Sequence, residues 1–273
     1  MNWLESIFYG LISGFAEFLP VSSDGQAALY LKLIGGADDA AMHLAVHIGM
    51  LLAVFISCSA FISKLNRERR IAAIPKKRRK RQPDVKTMLD IRLLKAVSIP
   101  MVIISAVARY FLGKWSVPFW FISIMLFVNG VILFVPQFYP GANKDSRTLS
   151  HWDAFLMALA SALGAVPGIS RLGGFLSAAQ LRGAERRYAL DIGLLLTIPA
   201  VAVLIVFDFV LIFSGTVSGF SVLNFIAAAL FSFGGGYAAI SFIRFLAVKS
   251  DFSGFAYYSW GAALLSLIVY LVS

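Results

Sequence analysis

The decapeptide EFLPVSSDGQ, Glu17 to Gln26, sets two carboxylates, a proline and two serines inside a stretch that is otherwise apolar. A bilayer core takes about 20 apolar residues in a row. The arms on either side of this cluster supply only roughly 12 to 17 each, too few for one straight crossing. A helix, break, helix hairpin that dips into the membrane accommodates both arms, provided that protein or a wet cavity shelters the broken backbone. The pattern recurs at residues 151–182, where VPGISRLG (166–173) interrupts a second apolar stretch.

Working outward, the remaining apolar chain divides into six stretches long enough to cross, roughly 43–62, 92–112, 117–138, 187–213, 221–246 and 254–272. The 273 residues are 59% hydrophobic and 14% charged, with a mean hydropathy of +0.82, outside the range of soluble domains. The expected fold is therefore all-α and polytopic, with six transmembrane helices plus two re-entrant hairpins in a single membrane domain, 1–273. The N-terminal MNWLESIFYGLISGF lacks a basic n-region and a small-residue cleavage site, so no removable signal peptide is expected. Cys58, the one cysteine, lies in an apolar run and reads as a packing residue.

Laid over one another at an offset of 147 residues, the two clusters align Pro20 with Pro167, Ser23 with Ser170 and Asp24 with Arg171. Each is followed by a short arm and three full spans. An odd number of spans between the hairpins inverts the second copy, so an inverted-topology repeat is expected, repeat one about 1–138 and repeat two about 151–273. The net charge of +10 fits this arrangement. Of the 24 Lys and Arg residues, 13 fall between Lys64 and Lys95, around PKKRRKRQP (75–83), which reads as a cytoplasmic loop at 63–91 under the positive-inside rule. Lys144, Arg147, Arg182, Arg186, Arg187, Arg244 and Lys249 fall on the same side, and Lys114 opposite. No aromatic residue interrupts the basic run, which argues against nucleic acid and for anionic headgroups. Trp115, Trp120 and Trp260 fit an interfacial belt. The glycines 234–236 suit close helix approach.

Ionisable groups inside a membrane segment are costly and mark sites, which singles out Glu17, Asp24 and Arg171. With Ser22, Ser23, Gln26 and Ser170 they gather at the two breaks, where free backbone N–H groups suit a phosphate. Arg171 offers a bidentate fork, and a serine with a neighbouring base or cation can attack phosphorus. The alternative is structural, an Asp24–Arg171 or Glu17–Arg171 pair that locks the tips together. From the residues alone the site takes an anionic, phosphorylated lipid.

EFLPVSSDG resembles the E-F-L-P-V-S-S-x-G-H signature of the bacterial undecaprenyl-diphosphate phosphatases, the bacitracin-resistance family, and PGISR resembles their P-G-x-S-R-S-x-x-T motif. The resemblance covers nearly the whole chain. It implies an inner-membrane hydrolase that removes the terminal phosphate of the C55 polyprenyl diphosphate carrier, recycling it for peptidoglycan synthesis with help from a divalent cation, Mg or Ca. It implies Ser23, Glu17 and Arg171 as catalytic residues, and Ser22, Asp24, Gly25, Gln26, Gly168 and Ser170 as substrate contacts. One reading of the residues is that His43 or His47, spaced i, i+4, rebuilds a metal or acid–base centre with Glu17 and Asp24 as ligands; the other is interfacial packing or hydrogen bonding of the two histidines. The expected partners are the C55 diphosphate or phosphate lipid, the bilayer and a second copy in a homodimer.

The chain departs from the family pattern at Ser13, where the first Glu or Gln of an acid pair belongs, and at Asp24, Gln26, Ser161, Leu172 and Phe175. These losses keep two further readings open: a flippase that moves a polyprenyl phosphate or other amphiphilic anion uncleaved, and a noncatalytic scaffold docked through residues 64–86.

Overall fold

In a computed structural model, which describes residues 1–37, 39–113, 117–139, 143–214, 221–249 and 252–272, both apolar stretches containing a Pro-Ser cluster fold as broken hairpins. Asn2 opens α1 (Trp3–Glu17) with a capping box, its side chain accepting from Glu5 N and Glu5 accepting from Asn2 N. The chain breaks at Phe18–Val21 and restarts as α2 (Ser23–Ile34), capped by Ser22, whose Oγ accepts from Gly25 N. The second hairpin repeats each device 148 residues on. Ser150 and Asp153 form the capping box of α7 (His151–Ala162), and Ser170 caps α8 (Arg171–Leu181) by accepting from Gly173 N. Gly35 and Gly183 both turn the chain at positive φ after the second arm. The caps thus put the hairpin offset at 148 rather than 147: matching the prolines displaces the serines by one, and Ser22 is the counterpart of Ser170.

Among the described residues six helices are long and apolar enough to cross a membrane. They are α3 (Ala40–Ser57), α5 (Val85–Gly113), α6 (Phe119–Phe134, extended by a 3-10 turn to Phe138), α9 (Arg186–Phe213), α10 (Val222–Lys249) and α11 (Gly254–Val272). The expected spans are all present within a few residues. The basic segment lies between the first two of them, as expected. Most of it is helical, α4 (Ser59–Ala73) following directly on α3 and α5 beginning at Val85, because its Lys, Arg, Glu, Ala and Leu residues are good helix formers. Among the described residues the only non-helical pairing is one β-bridge, Lys144 with Ala184.

Helix contacts follow the exchange of halves: α1 packs on α10 as α7 packs on α5, α3 on α10 as α9 on α5, and α3 meets α9 as α6 meets α11. The α1–α10 seam is close because Gly10 and Gly14 lie against Ala228 and Ser232, where a Cβ would stand 2.3 and 2.2 Å from carbonyl oxygens. Gly235 meets Leu11 O in the same seam, the close approach expected of that glycine run. Outward faces are apolar, as Leu264, Leu267, Ile268 and Leu271 show on α11, and Trp120 and Trp260 are partly exposed among them. Lys114 and Trp115 lie outside the described residues. Two ion pairs join neighbouring spans, His47 with Asp208 at 2.6 Å and Arg244 with Asp191 at 3.6 Å.

Candidate active site at the hairpin tips

The two breaks meet. Ser170 Oγ donates to Leu19 O at 3.4 Å, and a Cβ on Gly25 would reach Gly168 Cα at 3.2 Å. The pocket between them is walled by Glu17, Ser23, Asp24, Gly164, Ile169, Ser170 and Arg171. Glu17, at the end of α1, has both carboxylate oxygens engaged across this junction. Ser23 Oγ donates to Oε2 at 2.5 Å, and the Arg171 guanidinium donates to Oε1 at 2.8 Å. Glu17 is buried and Arg171 largely so, with side chains 5% and 11% exposed. A hydroxyl held this close to a buried carboxylate has an acceptor for its proton, and the cation opposite holds that carboxylate in place. Ser23 and Arg171 also begin α2 and α8, so the positive ends of two helix dipoles converge on the pocket.

Local backbone sets these directions. Ser22 sits at φ 66° and ψ 100°, an unfavourable conformation for a non-glycine residue, and it aims the start of α2 at Glu17. Gly164 lies under Arg171: a Cβ there would stand 2.1 Å from Arg171 Cγ.

Other expected site residues are placed elsewhere. Gln26 turns away from the pocket, its amide donating to Val21 O at 3.2 Å and accepting from Tyr258 OH at 3.0 Å. Gly25 and Gly168 serve the close packing of the tips, Gly168 at φ 100°. His43 meets Tyr9 OH through Nδ1 at 3.3 Å, and His47 binds Asp208. Among the described residues no three His, Cys, Asp or Glu side chains gather as metal donors. A hard divalent cation needs several oxygen ligands, while Arg171 and Ser23 engage Glu17 and Arg109 engages Asp24. The donors present do not fit a protein-built cation cage.

Two residues escaped the sequence reading. Asn129 on α6 is fully buried and joins both breaks: its Oδ1 accepts from Ser170 N at 2.8 Å, and its Nδ2 donates to Pro20 O at 3.1 Å and Ser259 Oγ at 3.0 Å. Arg109 on α5 donates to Asp24 Oδ2 at 3.0 Å. Of the two pairings left open at the tips, Glu17–Arg171 is the one that forms, and Asp24 pairs with Arg109 instead. Leu172 and Phe175, where the resemblance leads one to expect Ser and Thr, are buried beside Gly193 of α9, so their apolar character serves the core. Ser13 Oγ is buried with no hydrogen-bond partner, and Ser161 Oγ rests on Met101 Sδ at 3.2 Å.

Fold and site together define a multi-pass membrane protein with a buried serine, carboxylate and guanidinium where two broken hairpins meet. The family model described as bacitracin resistance protein BacA matches residues 6–265. An undecaprenyl-diphosphatase of Nocardioides sp. is 32% identical, with 98% of this chain and 97% of the relative aligned. Undecaprenyl-diphosphatase 3 of Bacillus cereus is 32% identical over the same shares, and an undecaprenyl-diphosphatase of Halothermothrix orenii is 27% identical over 98% of each chain. The chain belongs to the BacA family.

Proposed function

We propose that the chain is an undecaprenyl-diphosphate phosphatase of the bacterial inner membrane, releasing the terminal phosphate of the carrier lipid at the hairpin tips. The observation that carries this reading is the contact of Ser23 Oγ with Glu17 and of Glu17 with Arg171, three groups drawn from both halves of the chain. The names of the relatives point to the same substrate. Nothing in the comparisons favours uncleaved transport.

In this mechanism Glu17 takes the Ser23 proton as Ser23 Oγ forms a bond to the terminal phosphorus. The bond from that phosphorus to the bridging oxygen breaks, and polyprenyl monophosphate leaves with the electron pair. Arg171 and the N–H groups at the start of α8 stabilise the charge on the phosphoryl oxygens. Water then attacks the phosphoseryl phosphorus, Glu17 returns its proton to the Ser23 oxygen, and inorganic phosphate departs.

The test is phosphate release from undecaprenyl diphosphate by purified protein in lipid nanodiscs, with Mg²⁺ or Ca²⁺ present and then chelated. Wild type is expected to turn over, and Arg171→Ala to run roughly 10²- to 10³-fold slower. Equal rates would overturn the assignment. Leaflet exchange of labelled polyprenyl phosphate without hydrolysis would establish the flippase instead.

A further inference from the structure

Arg109 has no part in the steps above. It reaches the tips from the last turns of α5, and its NH1 meets Asp24 Oδ2 at 3.0 Å, with the two side chains 25% and 21% exposed. Arg109 and Arg171 also wall a second, water-sized gap with Met101, Ser105, Ala165 and Leu204, on the α5–α9 side of the site. In that wall the Ser105 hydroxyl oxygen is buried and has no hydrogen-bond partner. A polar atom desolvated inside a membrane protein is normally satisfied, so this one marks a place for a ligand atom.

The charges point the same way. Each guanidinium carries five N–H donors and engages a carboxylate through one nitrogen, leaving most of the fork free for an anion. Glu17 and Asp24 balance Arg171 and Arg109, so the four side chains together are close to neutral. A diphosphate carries negative charge on the oxygens of both its phosphate groups, more than the single guanidinium of Arg171 can meet.

We propose that Arg109 and the Ser105 hydroxyl form a second anion subsite that holds the lipid-side phosphate of a diphosphate, with Asp24 holding Arg109 in place until the anion arrives. The subsite rests on the phosphatase reading and deepens it, since it makes the centre selective for diphosphate over monophosphate. One phosphate oxygen fills the gap and accepts from Ser105 and Arg109. Arg109, a quarter exposed, swings off Asp24 to meet it.

Calorimetric binding of inorganic pyrophosphate and orthophosphate to the full chain in nanodiscs tests the subsite without relying on turnover. Arg109→Ala is expected to weaken pyrophosphate binding roughly 10- to 100-fold while orthophosphate binding stays within about twofold. Ser105→Leu, which fills the gap, is expected to act in the same direction. Arg109→Lys, which keeps the charge and loses the fork, is expected to recover only part of the pyrophosphate affinity, whereas a merely structural role predicts full recovery. Unchanged pyrophosphate affinity in Arg109→Ala, or equal loss for both anions, would overturn the subsite. Arg109-dependent pyrophosphate binding by a wild type that leaves undecaprenyl diphosphate intact would sustain the subsite and overturn the phosphatase reading.

Discussion

At the scale of single residues, the site depends on side chains whose partners lie far away in sequence. Asn129 is the clearest case. Replacing it with Leu would strand the buried Ser170 N–H and remove a donor from Pro20 O. Two buried backbone groups without partners cost roughly 2 to 5 kcal/mol together, and thermal unfolding in nanodiscs should show that loss. Unchanged stability would mean that another group takes up those bonds. Gly164→Ala tests the floor under Arg171. With Arg171 Cγ and Cα at 2.1 and 2.5 Å from the added methyl, the guanidinium must shift off Glu17, and turnover is expected to fall roughly tenfold or more with the helical signal intact. Glu17, Ser23, Ser170 and Arg171 were legible because polar groups inside an apolar stretch have few ordinary explanations. Asn129 and Arg109 were not, because each sits alone in a span and only the fold brings its partners, 41 and 85 residues away, into contact.

Among the elements, spans and hairpins could be read from apolar run length, since the bilayer imposes a minimum. Register was harder. Caps, not prolines, fix where a helix begins, and the displaced serine match at 147 came from weighting the proline. For the basic segment the positive-inside rule speaks to the side of the membrane and not to local structure; the segment is mostly helix because charged residues are good helix formers. Its ordered strap depends on Glu68, which accepts two bonds from Arg81 and one from Asp84 N. The Arg81 hydrogen bonds, then the Asp84 N–H, hold the Glu68 carboxyl down at about 2 from an ordinary 4.5. A depressed carboxyl contributes stability in full above its unfolded value and loses it as pH falls through the folded one. Hydrogen-exchange protection of the amides in residues 76–84, corrected for the intrinsic pH dependence, should therefore hold at about pH 4.5 and fall near pH 2. In Glu68→Gln the protection should already be low at the higher pH. Identical protection in both proteins at every pH would remove Glu68 as the clasp.

For the whole molecule, the exchange of helix partners between halves, with the tips in contact, is what places one acid–serine pair opposite one guanidinium in the membrane interior. The sequence conveyed this only faintly, since the halves share caps and packing rather than residue identity. The distribution of basic residues leads one to expect residues 63–91 on the cytoplasmic side. In a variant lacking Cys58, an impermeant maleimide applied to intact cells is expected to label Trp3→Cys and leave Lys77→Cys unlabelled until the membrane is opened. Labelling of Lys77→Cys in intact cells would reverse the orientation and with it the face from which each hairpin enters.

The central claim, that Ser23 forms the bond to phosphorus, is tested most directly by rapid quenching of wild type with undecaprenyl diphosphate labelled in its terminal phosphate. Label is expected on the peptide carrying Ser23, with both label and turnover lost in Ser23→Ala. Undiminished phosphate release by Ser23→Ala would contradict the account.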